Sequence, residues 1–115
     1  MRRGDIRIVN LDPVLGSEAA KRRPAVIVSN DGANTTAARL QRGVITVVPV
    51  TSNVERIYPF QVLLPADDCG RRIDSKAQAE QVRSVAVERI EGAIGRVPPS
   101  LMALLDDALR LHLAL

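Results

Sequence analysis

Aromatic residues are nearly missing from this chain. They make up 2% of its 115 residues, as Tyr58 and Phe60 with no tryptophan. The core must therefore be built from Val, Ile, Leu and Ala, and no row of rings exists for stacking several bases of a nucleic acid. A single cysteine, Cys69, excludes an intramolecular disulfide and any zinc set of several thiolates, and it points to a reducing, intracellular home. A single histidine, His112, excludes a ribonuclease that works with two imidazoles; set among leucines in a helical segment, it is expected to be structural. No window approaches the ~18 uninterrupted apolar residues of a membrane span, and the polar opening Met1 to Asp5 has no apolar signal-peptide stretch behind it. A P-loop, a GxGxxG turn and a nucleophile elbow are also absent. Metal-dependent hydrolysis needs clustered carboxylates, and in Asp67-Asp68 and Asp106-Asp107 adjacent side chains diverge on a strand or helix. These absences lead to the expectation of a soluble, cytoplasmic protein without metal, cofactor or membrane association.

What is present is an ordinary globular composition, 46% hydrophobic and 25% charged. Its length suits one domain, residues 1–115, that hides roughly two-thirds of its unfolded surface. The net charge is +3 and the pI near 9.7, a balance that favours polyanionic partners such as RNA or an acidic peptide. The basic run Lys21-Arg22-Arg23 strengthens that expectation, because it stands beside a strand rather than in a tail.

Hydrophobic patterning predicts several short strands. Ile6 to Leu11 reads as the first, closed by Asp12-Pro13, and a polar loop from Val14 to Arg22 follows. At about nine residues that loop exceeds the usual connection of ~4–6, as working loops do. Pro24 to Ser29 is a continuous β-branched run that opens with proline at a tolerated position. Asn30 to Arg42 reads as a turn-rich link with a short helical turn around Thr36 to Leu40. Gly43 to Val50 is the strongest strand signal, ending in the loop residues Thr51-Ser52-Asn53. Phe60 to Leu64 is another strand and Pro65 to Gly70 a turn. From Asp74 to Val87 a period of two predicts one half-exposed strand, with Lys76, Gln78, Glu80 and Val82 on one face. After a short extended segment at Ile94 to Val97, Pro99 sits where a first helical residue is welcome. Leu101, Leu104, Leu105, Ala108, Leu111 and Leu115 then trace the stripe of an amphipathic C-terminal helix, with Asp106, Asp107 and Arg110 off it. The expected class is mostly β with helices (α+β), a small, twisted, barrel-like sheet capped by helices.

The chemistry left open by these exclusions is a strand preceded by arginine and a strand followed by hydroxyls. Were those two strands to pair, Arg23 and Thr51 would meet at one rim. A guanidinium offers a fixed fork of donors matched to phosphate oxygens and stays charged at physiological pH, and a threonine hydroxyl adds an oriented donor. The plain alternative is an exposed arginine and a capping threonine.

Arg3-Gly4-Asp5-Ile6, Leu11-Asp12-Pro13, Gly16-Ser17-Glu18 and Arg23 to Asn30 together resemble the opening of the MazF/PemK toxins. Val48-Pro49-Val50-Thr51-Ser52 resembles that family's second signature, and Asp74-Ser75 with Ala79-Glu80-Gln81-Val82-Arg83 its third. The resemblance covers nearly the whole chain. It implies an SH3-like barrel of the CcdB/MazF kind, a homodimer, and metal-independent cleavage of single-stranded RNA to a 2′,3′-cyclic phosphate and a 5′-hydroxyl. It further implies an acidic MazE-like antitoxin as partner. Arg23 matches the family's catalytic arginine and Thr51 its catalytic threonine. Glu18 matches the loop that gates the site, and Ser75, Gln81 and Arg83 resemble positions lining the RNA groove; Lys21, Arg22 and Ser52 are their expected neighbours in RNA binding. Two departures stand out: Arg7 and Ile8 follow Ile6 where relatives often carry an aromatic, and Lys76 replaces an apolar residue. A rival of another class is a gyrase poison of the CcdB type on the same fold, which relies on a Trp-Gly-Ile ending; this chain ends Leu113-Ala114-Leu115. An inactive relative that binds RNA or titrates an antitoxin is the third alternative.

Overall fold

The continuous apolar run Val47 to Val50 has every residue buried, a pattern that requires cover on both faces of its strand. In the computed structural model, which describes residues 1–11, 16 and 21–115, that cover is present. Strand β3 (Val44–Thr51) lies inside a seven-stranded antiparallel sheet with β1 (Asp5–Asn10), β2 (Arg22–Ile27), β4 (Gln61–Leu64), β5 (Ser75–Gln78), β6 (Arg83–Ala86) and β7 (Ile90–Arg96). The order is β4-β5-β3-β2-β1-β7, and β6 also pairs with β3. Alternate residues of the central strands feed two separate cores. Ile6, Val26, Val48 and Val50 pack with Val62, Leu64 and the C-terminal helix, while Val9, Ala25, Ile27, Ile45 and Val47 pack with Ala37 and Val85. The three helices among the described residues are α1 (Asp31–Leu40), α2 (Ala66–Cys69) and α3 (Pro99–Leu113).

Three sequence expectations change. The link at residues 30–42 contains a full helix, α1, rather than a short turn. It starts where the Asn30 side chain accepts from the backbone N–H of Ala33 at 2.8 Å, with Asp31 in the first turn and Arg39 in the last. Its buried residues are only Asn34 and Ala37. Asn34 holds the helix down by donating to the Ser29 carbonyl at 2.8 Å and accepting from the Ser29 hydroxyl, so no apolar stripe announced it. The expected turn after β4 contains the one-turn helix α2, closed by Gly70 at φ +67°, a left-handed cap that glycine adopts without penalty.

The third change concerns the segment at 74–87, which is two strands and not one. Residues Ala79–Gln81 form a 3-10 turn between β5 and β6. Both strands pair with the same edge of β3, β5 at Val50 and Thr51 and β6 at Val44 to Val47, and the register slips between them by three residues, the length of the turn. Pro49 sits in the gap between those two ladders, where its missing N–H costs no hydrogen bond. The segment is also less exposed than its alternation suggested: Ser75, Lys76 and Ala77 are all buried.

Helix α3 forms as its spacing predicts, with Pro99 at its first turn, but the stripe splits. Leu105 and Ala108 are buried with Met102, whereas Leu104 and Leu111 are 52% and 57% exposed beside Leu63. His112 is exposed in the last turn, where a basic side chain suits the negative helix end, and its expected place among leucines is not in a core. Leu105→Ala should remove side-chain volume from the centre of the first core and cost about 2–5 kcal/mol of stability. A denaturant titration would show it as a lower midpoint at unchanged slope; an unshifted midpoint would mean that α3 does not anchor the fold.

Candidate active site

Arg23 and Thr51 come together as the strand pairing predicts. The β2–β3 ladder runs Ile27↔Val47, Val26↔Val48 and Ala25↔Pro49, and its continuation places Arg23 opposite Thr51. The next position would pair Pro24 with Val50, and Pro24 carries no N–H to extend the ladder. Where the strands part, a cavity of about 280 Å³ opens, lined by Arg23, Pro24, Val50, Thr51, Ser52, Arg71 and Ile73. Arg23 is half-buried against its floor. The Thr51 oxygen accepts the backbone N–H of Asn53 at 3.2 Å, so its own proton remains to be donated into the cavity.

Arg71 went unnoticed in the sequence because no motif contains it; only the surplus of arginine could have drawn attention to that segment. It lies between α2 and β5, and three contacts hold it over the cavity. Its backbone N–H donates to the Ala66 carbonyl at 2.9 Å, its guanidinium donates to the Ser75 hydroxyl at 3.3 Å, and Asp74 closes the loop on the Ala66 N–H at 2.9 Å. Gly95 on β7 permits this approach. A Cβ there would stand 2.6 Å from the Cys69 carbonyl oxygen and 3.0 Å from Arg71 Cγ. Two guanidiniums and two hydroxyl-bearing residues thus line one small cavity.

The other expected site residues are distributed differently. Ser52 lines the cavity. Ser75 is 1% exposed and accepts from the Arg71 guanidinium, so it bears on the cavity through Arg71. Arg22 points away across β1. It makes a bidentate pair with Glu91, Nε donating at 2.8 Å and Nη2 at 2.5 Å, which raises the arginine's pKa and holds the Glu91 carboxyl below its usual range through the hydrogen bond first and the charge second. The pair ties β2 to β7 and leaves the Arg22 side chain at the surface. That exposed pair adds little stability, present above the ordinary carboxylate range and lost as pH falls through the lowered Glu91 value. Lys21 is exposed at φ +60°, its carbonyl accepting from the Leu11 N–H. Gln81 is in the 3-10 turn, and Arg83 donates to the Leu11 carbonyl at 3.3 Å; neither lines the cavity. Glu18 and the rest of its expected gating loop, apart from Gly16, Lys21 and Arg22, lie outside the described residues. Among the described residues no group of His, Cys, Asp and Glu is placed to hold a metal, and no helix is long and apolar enough to cross a membrane.

Residues 2–113 match the model of the PemK-like, MazF-like toxins of type II toxin–antitoxin systems. The chain belongs to that family. Over all 115 residues it is 64% identical to endoribonuclease MazF9 of Mycobacterium tuberculosis, covering 98% of that protein. Its fold superposes on the crystal structure of MazF from Deinococcus radiodurans with a TM-score of 0.82 at 27% identity, covering 100% of this chain and 97% of that one. A MazE–MazF structure from the same organism aligns with a TM-score of 0.74 at 25% identity, covering 100% of this chain and 96% of the other. The seven-stranded sheet with a C-terminal helix is thus the α+β fold of MazF structures.

Proposed function

We propose that this MazF-family toxin is an endoribonuclease that cuts single-stranded RNA without a metal, and that Arg23, Thr51 and Arg71 form its catalytic cavity. The observation that carries the assignment is the convergence of Arg23, Arg71 and Thr51 on the lining of one cavity. The 2′-hydroxyl of the substrate loses its proton as its oxygen attacks the adjacent phosphorus, the P–O5′ bond breaks, and the departing 5′-oxygen takes up a proton, so that none is gained or lost overall. The products are a 2′,3′-cyclic phosphate and a 5′-hydroxyl. The crowded phosphorane on the way carries extra negative charge, and preorganised donors stabilise it without reorganisation. Arg23 supplies two parallel N–H donors, Thr51 one oriented O–H, and Arg71 a second charge held in place by Ser75. The guanidinium resists deprotonation, so Arg23 serves as a charge and hydrogen-bond donor and neither takes up nor gives away the transferred proton.

The relative MazF9 is named an endoribonuclease, which favours RNA cleavage over the gyrase-poison alternative. A single-domain toxin acting as a homodimer in the cytoplasm, silenced by an acidic MazE-like partner, fits the family match and the basic charge of +3. Ser52, Lys21, Gln81 and Arg83 remain candidates for RNA contact around the cavity.

The test is incubation of the purified protein with a long mixed-sequence RNA in EDTA, followed by mapping of the new 5′ ends. Site-specific cuts bearing 5′-hydroxyls are expected, at a rate unchanged by the chelator. Loss of activity in EDTA would contradict the metal-free mechanism, and the absence of cuts on any RNA would overturn the assignment.

A further inference from the structure

A second cavity adjoins the first. It measures about 480 Å³ and is lined by Asn53, Glu55, Arg56, Tyr58 and Lys76. Two connections tie it to the catalytic cavity. Lys76 is the direct cross-strand partner of Thr51 in the β3–β5 ladder, and partners in a ladder share a face. Asn53 donates its backbone N–H to the Thr51 oxygen. A chain of nucleotides seated with its scissile phosphate at Thr51 passes the second cavity with its next residue.

Lys76 is the unusual group there. It is only 7% exposed, although a lysine is almost never buried without a partner. Its Nζ donates to the Arg56 carbonyl at 2.6 Å and stands 5.8 Å from the centre of the Tyr58 ring. An ammonium has three donors, and one carbonyl with one ring face compensates only part of its lost hydration. The group is therefore held in place and ready to give a hydrogen bond to an oxygen entering the cavity. The Tyr58 ring, stacked on Phe60 with centroids 5.4 Å apart and flanked by the Arg56 guanidinium at 5.3 Å, makes a flat wall. The ring is already in contact with Phe60 and with the Arg56 and Lys76 cations over it, so it walls the cavity and positions the ammonium. The Glu55 carboxylate supplies an acceptor at the same cavity, since its only hydrogen bond among the described residues is through its backbone N–H to Asn53.

We propose that this cavity is a base-reading subsite for the nucleotide next to the cleaved bond, and that Lys76 is its specificity-determining residue, selecting a keto base. The assignment rests on the ribonuclease reading above. Guanine and uracil present a carbonyl oxygen beside a ring N–H, which suits an ammonium donor beside a carboxylate acceptor. Adenine presents an amino group at that place, and its N–H would meet an ammonium that can only donate. Splayed single-stranded bases are read in this way, by hydrogen bonds to their edges.

The experiment is cleavage of an RNA pool randomised around the cut, by the unaltered protein, Lys76→Met and Lys76→Arg, with every cut position sequenced. The unaltered protein is expected to discriminate against adenine at one position adjoining the cut. Lys76→Met is expected to lose roughly tenfold of that discrimination there and to keep its preferences elsewhere, because the lost contact is made to one base only. Lys76→Arg should retain a carbonyl preference, and Lys76→Gln serves in place of methionine if the latter does not fold. A Lys76→Met protein that keeps the full preference overturns the assignment. So does one that cuts every sequence equally more slowly and with a shallower salt dependence, the signature of a phosphate contact. If the unaltered protein cuts nothing, the ribonuclease reading falls and the subsite with it; if it cuts without preference at that position, the subsite alone falls.

Discussion

Arg23→Ala is expected to lower the cleavage rate at least ~10³-fold while leaving the fold intact. Removing one preorganised donor from a charge-stabilising site costs ~10²–10³ in rate, and alanine here removes a full charge and two parallel donors. The side chain lies at the parting of β2 and β3, so its loss disturbs neither core. Lysine at this position keeps the charge but not the planar fork, and an intermediate loss of roughly 10²-fold is expected. Initial rates on a defined oligonucleotide, with circular dichroism as the control for folding, measure both. A fully active Arg23→Ala protein would remove Arg23 from the mechanism and leave Arg71 as the guanidinium that faces the reacting phosphate.

Thr51→Ala is expected to slow cleavage about 10²-fold, and Thr51→Ser to restore most of it. The hydroxyl has two tasks, and the kinetic parameters separate them. Its oxygen takes the Asn53 N–H and so shapes the loop between the two cavities, while its proton is free for the phosphate. Valine keeps the shape of threonine but loses both tasks, leaving the Asn53 N–H to water at a cost of order 1 kcal/mol. If the hydroxyl acts on the reacting phosphate, the loss appears in kcat. A rise in KM with kcat unchanged would instead mean that Thr51 only shapes the groove. Full activity in Thr51→Ala would exclude it from the chemistry.

The pairing of Arg23 with Thr51 was legible because it depends on strand order and register, and both strands announce themselves by β-branched runs ending at loop residues. Arg71 was not legible. Its place over the cavity depends on a glycine at position 95, on a strand remote in sequence, and on a hydrogen bond from Asp74 back to Ala66. Lys76 was misjudged for a related reason. Alternation along residues 74–82 counts polar residues as exposed, yet β5 lies between β3 and β4, so Ser75, Lys76 and Ala77 are all covered. Helix α1 escaped because Asn34, bonded to Ser29, anchors it where an apolar stripe usually would.

The sequence by itself determined the class of this protein: strands from β-branched runs, a terminal helix from leucine spacing, a basic charge, and the ordered signatures of the MazF/PemK family. These are local properties, set by side-chain shape, periodicity and residue type within a few positions of one another. Only the tertiary structure decided which cations face the same cavity, since Arg22 is turned to Glu91 while Arg23 and Arg71 converge. It also decided that Lys76 is buried beside Thr51. Convergence of that kind arises from ladder register, proline gaps and close backbone approach, which join residues far apart in the chain and leave no periodic trace in it.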